Sequence, residues 1–313
     1  MKRLDRNVLY GSVSAIVVSA IWGLSFVAAR VVLSTLTPVL LATVRFSIAS
    51  LVFIPIIAWE LKHGRAVKLR DLVELALLGL LSVSVYFWLQ YTGIKYAGAG
   101  ISALLVVGLI PILTGVASFF ALKEAYGLQE LLGTALGLLG VGLITVPGLL
   151  LNRVDWLFYL GVLCLFLNAA CWALYSTLSR RLVNRTRRPL MNAACVTVLG
   201  TIALIPVSLT SDWSSIASLR PEQWLSVLYL SLVCSCGGYF LWNLALSRME
   251  AVKVAVWQYL EPPVAFMGEA LVFNMMPSPT IPIGATAIII GALLTNWSKS
   301  PDRNVRWLSW FSR

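Results

Sequence analysis

The sequence predicts an all-α membrane protein with ten transmembrane helices, arranged as two inverted five-helix repeats. Three observations carry that expectation. The first is composition: 59% of the 313 residues are hydrophobic, only 12% are charged and the mean hydropathy is +0.86, whereas a soluble domain carries about 25% charged residues. The second is patterning, because apolar runs of about 20 residues recur from end to end, each long enough to cross about 30 Å of hydrocarbon. The third is a faint self-similarity between the two halves at an offset of about 151 residues.

The first run, at about 10–30, follows the basic segment MKRLDR. It resembles a signal peptide, but its core is too long and nine further runs follow, so it is expected to stay attached. It offers Ser19, Trp22 and Phe26. The second run, at about 38–59, carries Arg45 in the triplet VRF, roughly a third of the way from its outer end. Two roles fit Arg45: a structural partner for an acid or a carbonyl, or a binding group for a carboxylate. The structural role is the one assigned. The third run, about 71–92, bears Tyr86 and Gln90; the fourth, about 99–122, contains Pro111; the fifth, about 127–147, is rich in glycine at Gly133, Gly137 and Gly140.

The sixth run, about 156–179, bears Asn168, Trp172 and Tyr175, and the seventh covers about 189–210. The eighth, about 223–246, bears Tyr239 and Asn243. The ninth, about 252–274, holds the most unusual stretch in the chain, WQYLEPPVAF. A carboxylate near the bilayer centre costs about 2.5–3.5 kcal/mol on insertion scales, so Glu261 must face protein or water. Pro262 and Pro263 remove backbone donors and free carbonyls of the preceding turn. They mark an interrupted helix at a central site. The tenth run, about 279–298, carries Gly284 and Gly291, so the fifth and tenth helices are close-packing surfaces suited to dimerisation or to joining the halves. Domain boundaries follow: residues 1–151 and 152–298 for the two repeats, and a basic tail at 299–313. The tail is either disordered or a short helix on the inner leaflet.

Charge fixes the orientation. With the N-terminus inside, the inner segments hold Lys2, Arg3 and Arg6; Lys62, Arg65, Lys68 and Arg70; Lys123; Arg180, Arg181, Arg185, Arg187 and Arg188; Arg248 and Lys253; and the four basic residues of the tail. The outer segments hold Lys95, Arg153 and Arg220. This follows the positive-inside rule, places both termini in the cytoplasm, and accounts for the net charge of +11 through the bilayer, with no nucleic-acid partner. Trp59, Trp156, Trp213, Trp224 and Trp297 stand at run ends, where an indole suits the headgroup boundary.

The repeat rests on shared spacing. Pro111 pairs with Pro262, Gly133 with Gly284, Gly140 with Gly291 and Pro38 with Pro189, while Trp22 pairs with Trp172 one position off. Five is odd, so the second copy enters from the opposite side, the arrangement of secondary transporters whose sites lie at the midplane between repeats. A bundle merely enlarged by duplication is the plainer alternative.

The stretches SAIWGLSFVAARVVL, TPVLLATVRFSIASLVFIPI, YTGIKYAGAGISALLVVGLIPILTGVASFFALKE, LLGTALGLLGVGLI and QYLEPPVAFMGEALVF together resemble the EamA-type branch of the drug/metabolite transporter superfamily. The resemblance covers both repeats. It implies ten helices, inverted repeats and export of small metabolites such as amino acids across the inner (cytoplasmic) membrane. One departure is FNMM at the end of the ninth run, where the family often has a glycine–glutamate pair; the first repeat keeps part of it as LKE at 122–124.

Helical spacing puts Trp257, Gln258, Glu261, Ala265 and Gly268 on one face. With Trp22, Tyr86, Gln90, Asn168, Trp172, Tyr239 and Asn243 on other helices, these residues are expected to line one aqueous cavity for a small-molecule substrate. Singly, each membrane Tyr or Asn fits helix-to-helix bonding as well. Pro111, Pro262 and Pro263 are expected to act as hinges. Aromatic walls suit organic ligands, including an ammonium held over a ring face. Amino acids and related amines head the list; a cationic drug, a nucleoside or a sugar would fit similar walls.

No cofactor or metal is expected. The single histidine, His63, falls in a loop, no Asp lies inside a run, and the five cysteines read as packing residues. An enzyme is therefore disfavoured; a channel or membrane scaffold remains the other class. Monomer and homodimer both fit the sequence.

Overall fold

The computed structural model describes residues 6–63, 67–97, 99–124, 127–145, 156–273 and 280–297, and the described residues contain no strand. The basic start at 2–3, Arg65, Arg153, FNMM beyond Phe273 and the tail at 299–313 lie outside them.

In chain order the helices are α1 (Arg6–Leu33), α2 (Pro38–Lys62), α3 (Leu69–Gly79) and α4 (Tyr86–Ala97), the last two joined without a break by a π-helical segment, Leu80–Val85. Next come α5 (Ala99–Leu122), α6 (Leu128–Thr145), α7 (Trp156–Thr186) and α8 (Pro189–Ser208). A 3-10 turn at Trp213–Ser218 leads to α9 (Pro221–Leu228), which runs through a second π-helical segment, Tyr229–Gly237, into α10 (Gly238–Leu246). Last are α11 (Ala251–Ala255), a 3-10 segment at Val256–Leu260, α12 (Glu261–Phe273) and α13 (Thr280–Trp297).

Among the described residues, seven helices are long and apolar enough to cross a bilayer: Asn7–Leu33, Pro38–Lys62, Leu69–Gly93, Leu105–Leu122, Trp156–Thr186, Pro189–Ser208 and Pro221–Leu246. Leu128–Leu143 and Pro282–Asn296 are shorter apolar helices. The outer surface is itself apolar, with Leu271 81%, Phe120 77% and Leu51 69% exposed. Side chains so placed need hydrocarbon around them, and the molecule is a multi-pass membrane protein.

Two expectations need adjusting, whereas the ninth run is interrupted as the prolines imply. The ninth run is three pieces, because Pro262 and Pro263 cannot donate and the turn before them tightens to 3-10. Pro111, its counterpart, sits within an unbroken α5. The sixth helix runs on to Thr186, so Arg180, Arg181 and Arg185 belong to helix rather than loop. Acids hold that extension in place: Arg185 pairs with Asp71 (2.7 Å) and Glu74 (2.6 Å), Arg188 with Glu60, and Arg180 with Glu124. Glu60, Asp71, Glu74, Glu124 and residues 180–188 thus gather at one end of the bundle. Burial raises the Glu124 carboxyl above its ordinary range while Arg180 pulls it down.

The two halves meet on helices α2 against α8 and α6 against α13. At the second contact the glycines let backbones touch: a Cβ on Gly133 would lie 2.6 Å from the Gly291 carbonyl, and one on Gly140 would lie 2.6 Å from that of Gly284. The glycine surfaces of the fifth and tenth helices therefore face each other within the chain. At the first contact Ser50 donates to Thr201 (3.0 Å), and beside α6 the Tyr259 hydroxyl donates to the Gly108 carbonyl (3.1 Å), both pairs 151 residues apart.

Candidate functional site

A cavity of about 690 Å³ opens between the halves, walled by α1, α2, α4, α7, α10 and the break before α12. Of the residues expected there, Trp22, Tyr86, Gln90, Trp172, Tyr239, Gln258 and Glu261 line it, and so does Arg45. The structure does not bring Asn168, Asn243 or Trp257 to its walls.

Each of the three has a local reason. Asn243 is fully buried and saturated: its amide donates to the Tyr175 hydroxyl (3.0 Å) and the Tyr239 carbonyl (2.8 Å), and its oxygen accepts from Ser179 (2.6 Å). Asn168 donates to the Tyr86 carbonyl (2.7 Å) just past the first π-helical segment, where helical pairing is disturbed. Trp257 lies in the 3-10 segment, whose three-residue turn shifts it off the face shared by Gln258 and Glu261.

The floor is aromatic. Trp22 meets Trp172 edge-on at 5.2 Å between centroids, and both pack against Trp242, at 5.4 and 5.7 Å. Tyr86 and Tyr239 flank Trp172, at 5.1 and 6.0 Å. Backbone carbonyls aim these rings: Trp22 Nε1 donates to the Cys234 carbonyl (3.1 Å) and the Tyr239 hydroxyl to that of Ser82 (2.7 Å). Both acceptors lie in π-helical segments, whose wider turns present carbonyls sideways.

On one wall a chain of hydrogen bonds ends at the buried acid. Trp172 Nε1 donates to Gln258 Oε1 (3.1 Å), and Gln258 Nε2 donates to Glu261 Oε1 (3.1 Å). The chain fixes the amide orientation of Gln258 and leaves the other carboxylate oxygen without a protein partner among the described residues. Gly23 lets α1 approach this turn, since a Cβ there would stand 2.8 Å from the Glu261 carbonyl. Across the cavity, Arg45 is 6% exposed, donates from Nε to Ser235 (2.7 Å) and lies over the rings of Phe46 and Phe87 at 5.0 and 5.2 Å. Ser235 in turn donates to the Leu230 carbonyl five residues back, inside the second π-helical segment.

Sequence reasoning missed part of the wall: Ser25, Ala29, Arg30, Leu33, Ser34, Phe87 and Tyr91. The signal was present on α1, where positions 22, 25, 26, 29 and 33 follow one helical face. From Trp22 to Ser34 that face extends the cavity over about 18 Å at 1.5 Å per residue. It ends beside the 3-10 turn and α9, where Gln223 donates to Ser34 (3.1 Å) and Thr35 (2.8 Å).

Among known proteins, the chain is 29% identical over 280 residues to an uncharacterized transporter of Archaeoglobus fulgidus, covering 88% of this chain and 93% of that protein. It is 27% identical over 272 residues to the "Uncharacterized transporter YyaM" of Bacillus subtilis, covering 87% and 88%. It is 26% identical over 306 residues to the "Probable amino-acid metabolite efflux pump" of Escherichia coli K12, covering 92% and 96%. A solved crystal structure superposes with a TM-score of 0.74 at 21% identity, covering 92% of this chain and 96% of the other, a likeness of fold alone. The EamA-like transporter model matches twice, at residues 9–146 and 159–297, one match to each half that walls the cavity. The chain belongs to the EamA-like transporter family.

Proposed function

We propose that the protein is a secondary transporter that exports amino acids or related amines across the cytoplasmic membrane. The observation that carries this reading is the Trp172–Gln258–Glu261 chain, which holds a buried carboxylate against an aromatic cavity. A carboxylate that pairs with no cation among the described residues suits an ammonium, and indole and phenol faces add attraction to it. The family and the 26% identity to an amino-acid metabolite efflux pump support the same direction.

The transport cycle we infer is alternating access between two inverted halves of five helices each. Its support is the reciprocity of contacts: Gly133 faces Gly291 while Gly140 faces Gly284, which is residue i on j′ and j on i′. Such exchange is what a two-fold axis produces. With the basic ends inside, the cavity opens outward along α1, and the Trp22–Trp172–Trp242 floor closes it below. Purified protein in liposomes, assayed with labelled amino acids and amines with and without a pH gradient, tests the reading. Saturable flux of at least one of them is expected; no flux for the whole panel would sink it, and non-saturating flux would favour a channel.

A further inference from the structure

We propose that Arg45 is the anion-binding group of the cavity, so that the cargo is a zwitterion whose carboxylate meets Arg45 while its ammonium meets Glu261. This rests on the amino-acid reading above and narrows it. The sequence alone favoured a structural ion pair or a carbonyl partner for Arg45. Among the described residues there is none: Arg45 forms no ion pair, and its one hydrogen bond runs from Nε to Ser235, a neutral hydroxyl.

Three features give that arrangement its meaning. A buried guanidinium in a membrane helix is costly and needs a counter-charge. Its Nε is committed to Ser235, and the Phe46 and Phe87 rings, themselves 5.0 Å apart, pack against it from one side, which restricts how it can turn. What stays free is the pair of terminal nitrogens, the edge that grips a carboxylate with two parallel hydrogen bonds. Arg45 and Glu261 line the same cavity without pairing with each other. Opposite charges that line one cavity without pairing match a ligand that carries both charges itself. A simple cation would leave Arg45 uncompensated and be repelled by it.

The test compares ligands that differ only by a carboxylate: phenylalanine and phenethylamine, leucine and isopentylamine, lysine and cadaverine. Binding is read from quenching of tryptophan fluorescence on detergent-purified protein, since Trp22 and Trp172 form the walls, and flux is read in liposomes. For at least one pair the wild type should favour the amino acid by about tenfold or more, as expected for a charged hydrogen-bonded pair. Arg45→Gln should collapse that ratio toward one. Arg45→Lys, which keeps charge but loses the fork, should lower it part of the way. Should Arg45→Gln fail to give monodisperse protein, the Arg45→Lys ratio decides. A wild type that takes amines as well as amino acids, or variants that keep the wild-type ratio, would overturn the role of Arg45 and leave the transporter reading intact. Failure of every ligand to bind or move in the wild type would instead remove the amino-acid reading itself.

Discussion

The Ser50 hydroxyl donates to Thr201 Oγ1 at 3.0 Å, and the two residues occupy the same place in their respective halves, 151 positions apart. Contact between such positions is what the proposed two-fold relation of the halves would produce. Tyr259 and Gly108, also 151 apart, meet in the same way beside Pro111 and Pro262. The contact is close enough for cross-linking. Ser50→Cys/Thr201→Cys, in a background without the five native cysteines, should form an intramolecular disulfide with a mild oxidant, visible by mass spectrometry. No disulfide, or one only between chains, would contradict this interface.

The glycine contact between α6 and α13 predicts a loss of stability with a built-in control. A Cβ on Gly291 would fall 2.5 Å from the Gly133 carbonyl, so Gly291→Leu must push the helices apart, an overpacking cost of about 1–3 kcal/mol. Gly142 lies on the same α6 helix, where an added methyl would meet nothing within 4 Å, and Gly142→Ala should cost nothing. Thermal unfolding in detergent should fall by several degrees for the first and stay level or rise for the second. Equal behaviour of the two would show that the close approach does not matter.

How legible was this in the sequence? The membrane-spanning helical character was, because lipid on one side and protein on the other leave long apolar runs, and glycine spacing marked α6 and α13 as packing surfaces without telling whether they join the halves or a second copy. Glu261 stood out because a charge amid apolar residues is costly. The π-helical segments at 80–85 and 229–237 were invisible. Nothing local in LLSVSV or YLSLVCSCG marks an extra residue per turn; tertiary bonds such as Arg45 to Ser235 and Tyr239 to Ser82 accompany it. The same limit explains Asn168 and Asn243. Type and spacing could not separate a side chain facing water from one bonded to a neighbouring helix, and both turned out to be bonded. Trp257 was misplaced by assuming α-helical phase over 257–261, where the chain before the prolines is 3-10.

Orientation gives a further prediction. The ion pairs of Arg185 and Arg188 put the end of α7 with Glu60, Asp71 and Glu74, and the positive-inside rule predicts that end to be cytoplasmic. Asn184 is exposed there, and Ser218 is exposed at the other end. In intact cells a membrane-impermeant maleimide should label Ser218→Cys at once and Asn184→Cys only after permeabilisation. The reverse pattern would invert the topology.

The final prediction separates charge from packing at the acid. Glu261→Gln keeps the shape and can still accept from Gln258, so the fold should persist while transport falls at least tenfold, because the ammonium loses its counter-charge. Gln258→Ala breaks the link from Trp172 to Glu261 and frees the carboxylate to rotate. Apparent affinity should weaken several-fold with a smaller change in maximal rate, since the charge remains. Trp257→Ala should act differently. Its indole is buried away from the cavity, so truncation leaves a void, with about 3–5 kcal/mol of lost stability and little change in affinity for the protein that folds. Flux kinetics in liposomes beside thermal unfolding in detergent distinguish the three. Normal flux in Glu261→Gln with reduced stability would make Glu261 a packing residue, and the site would then have to be built around Arg45 and the aromatic floor.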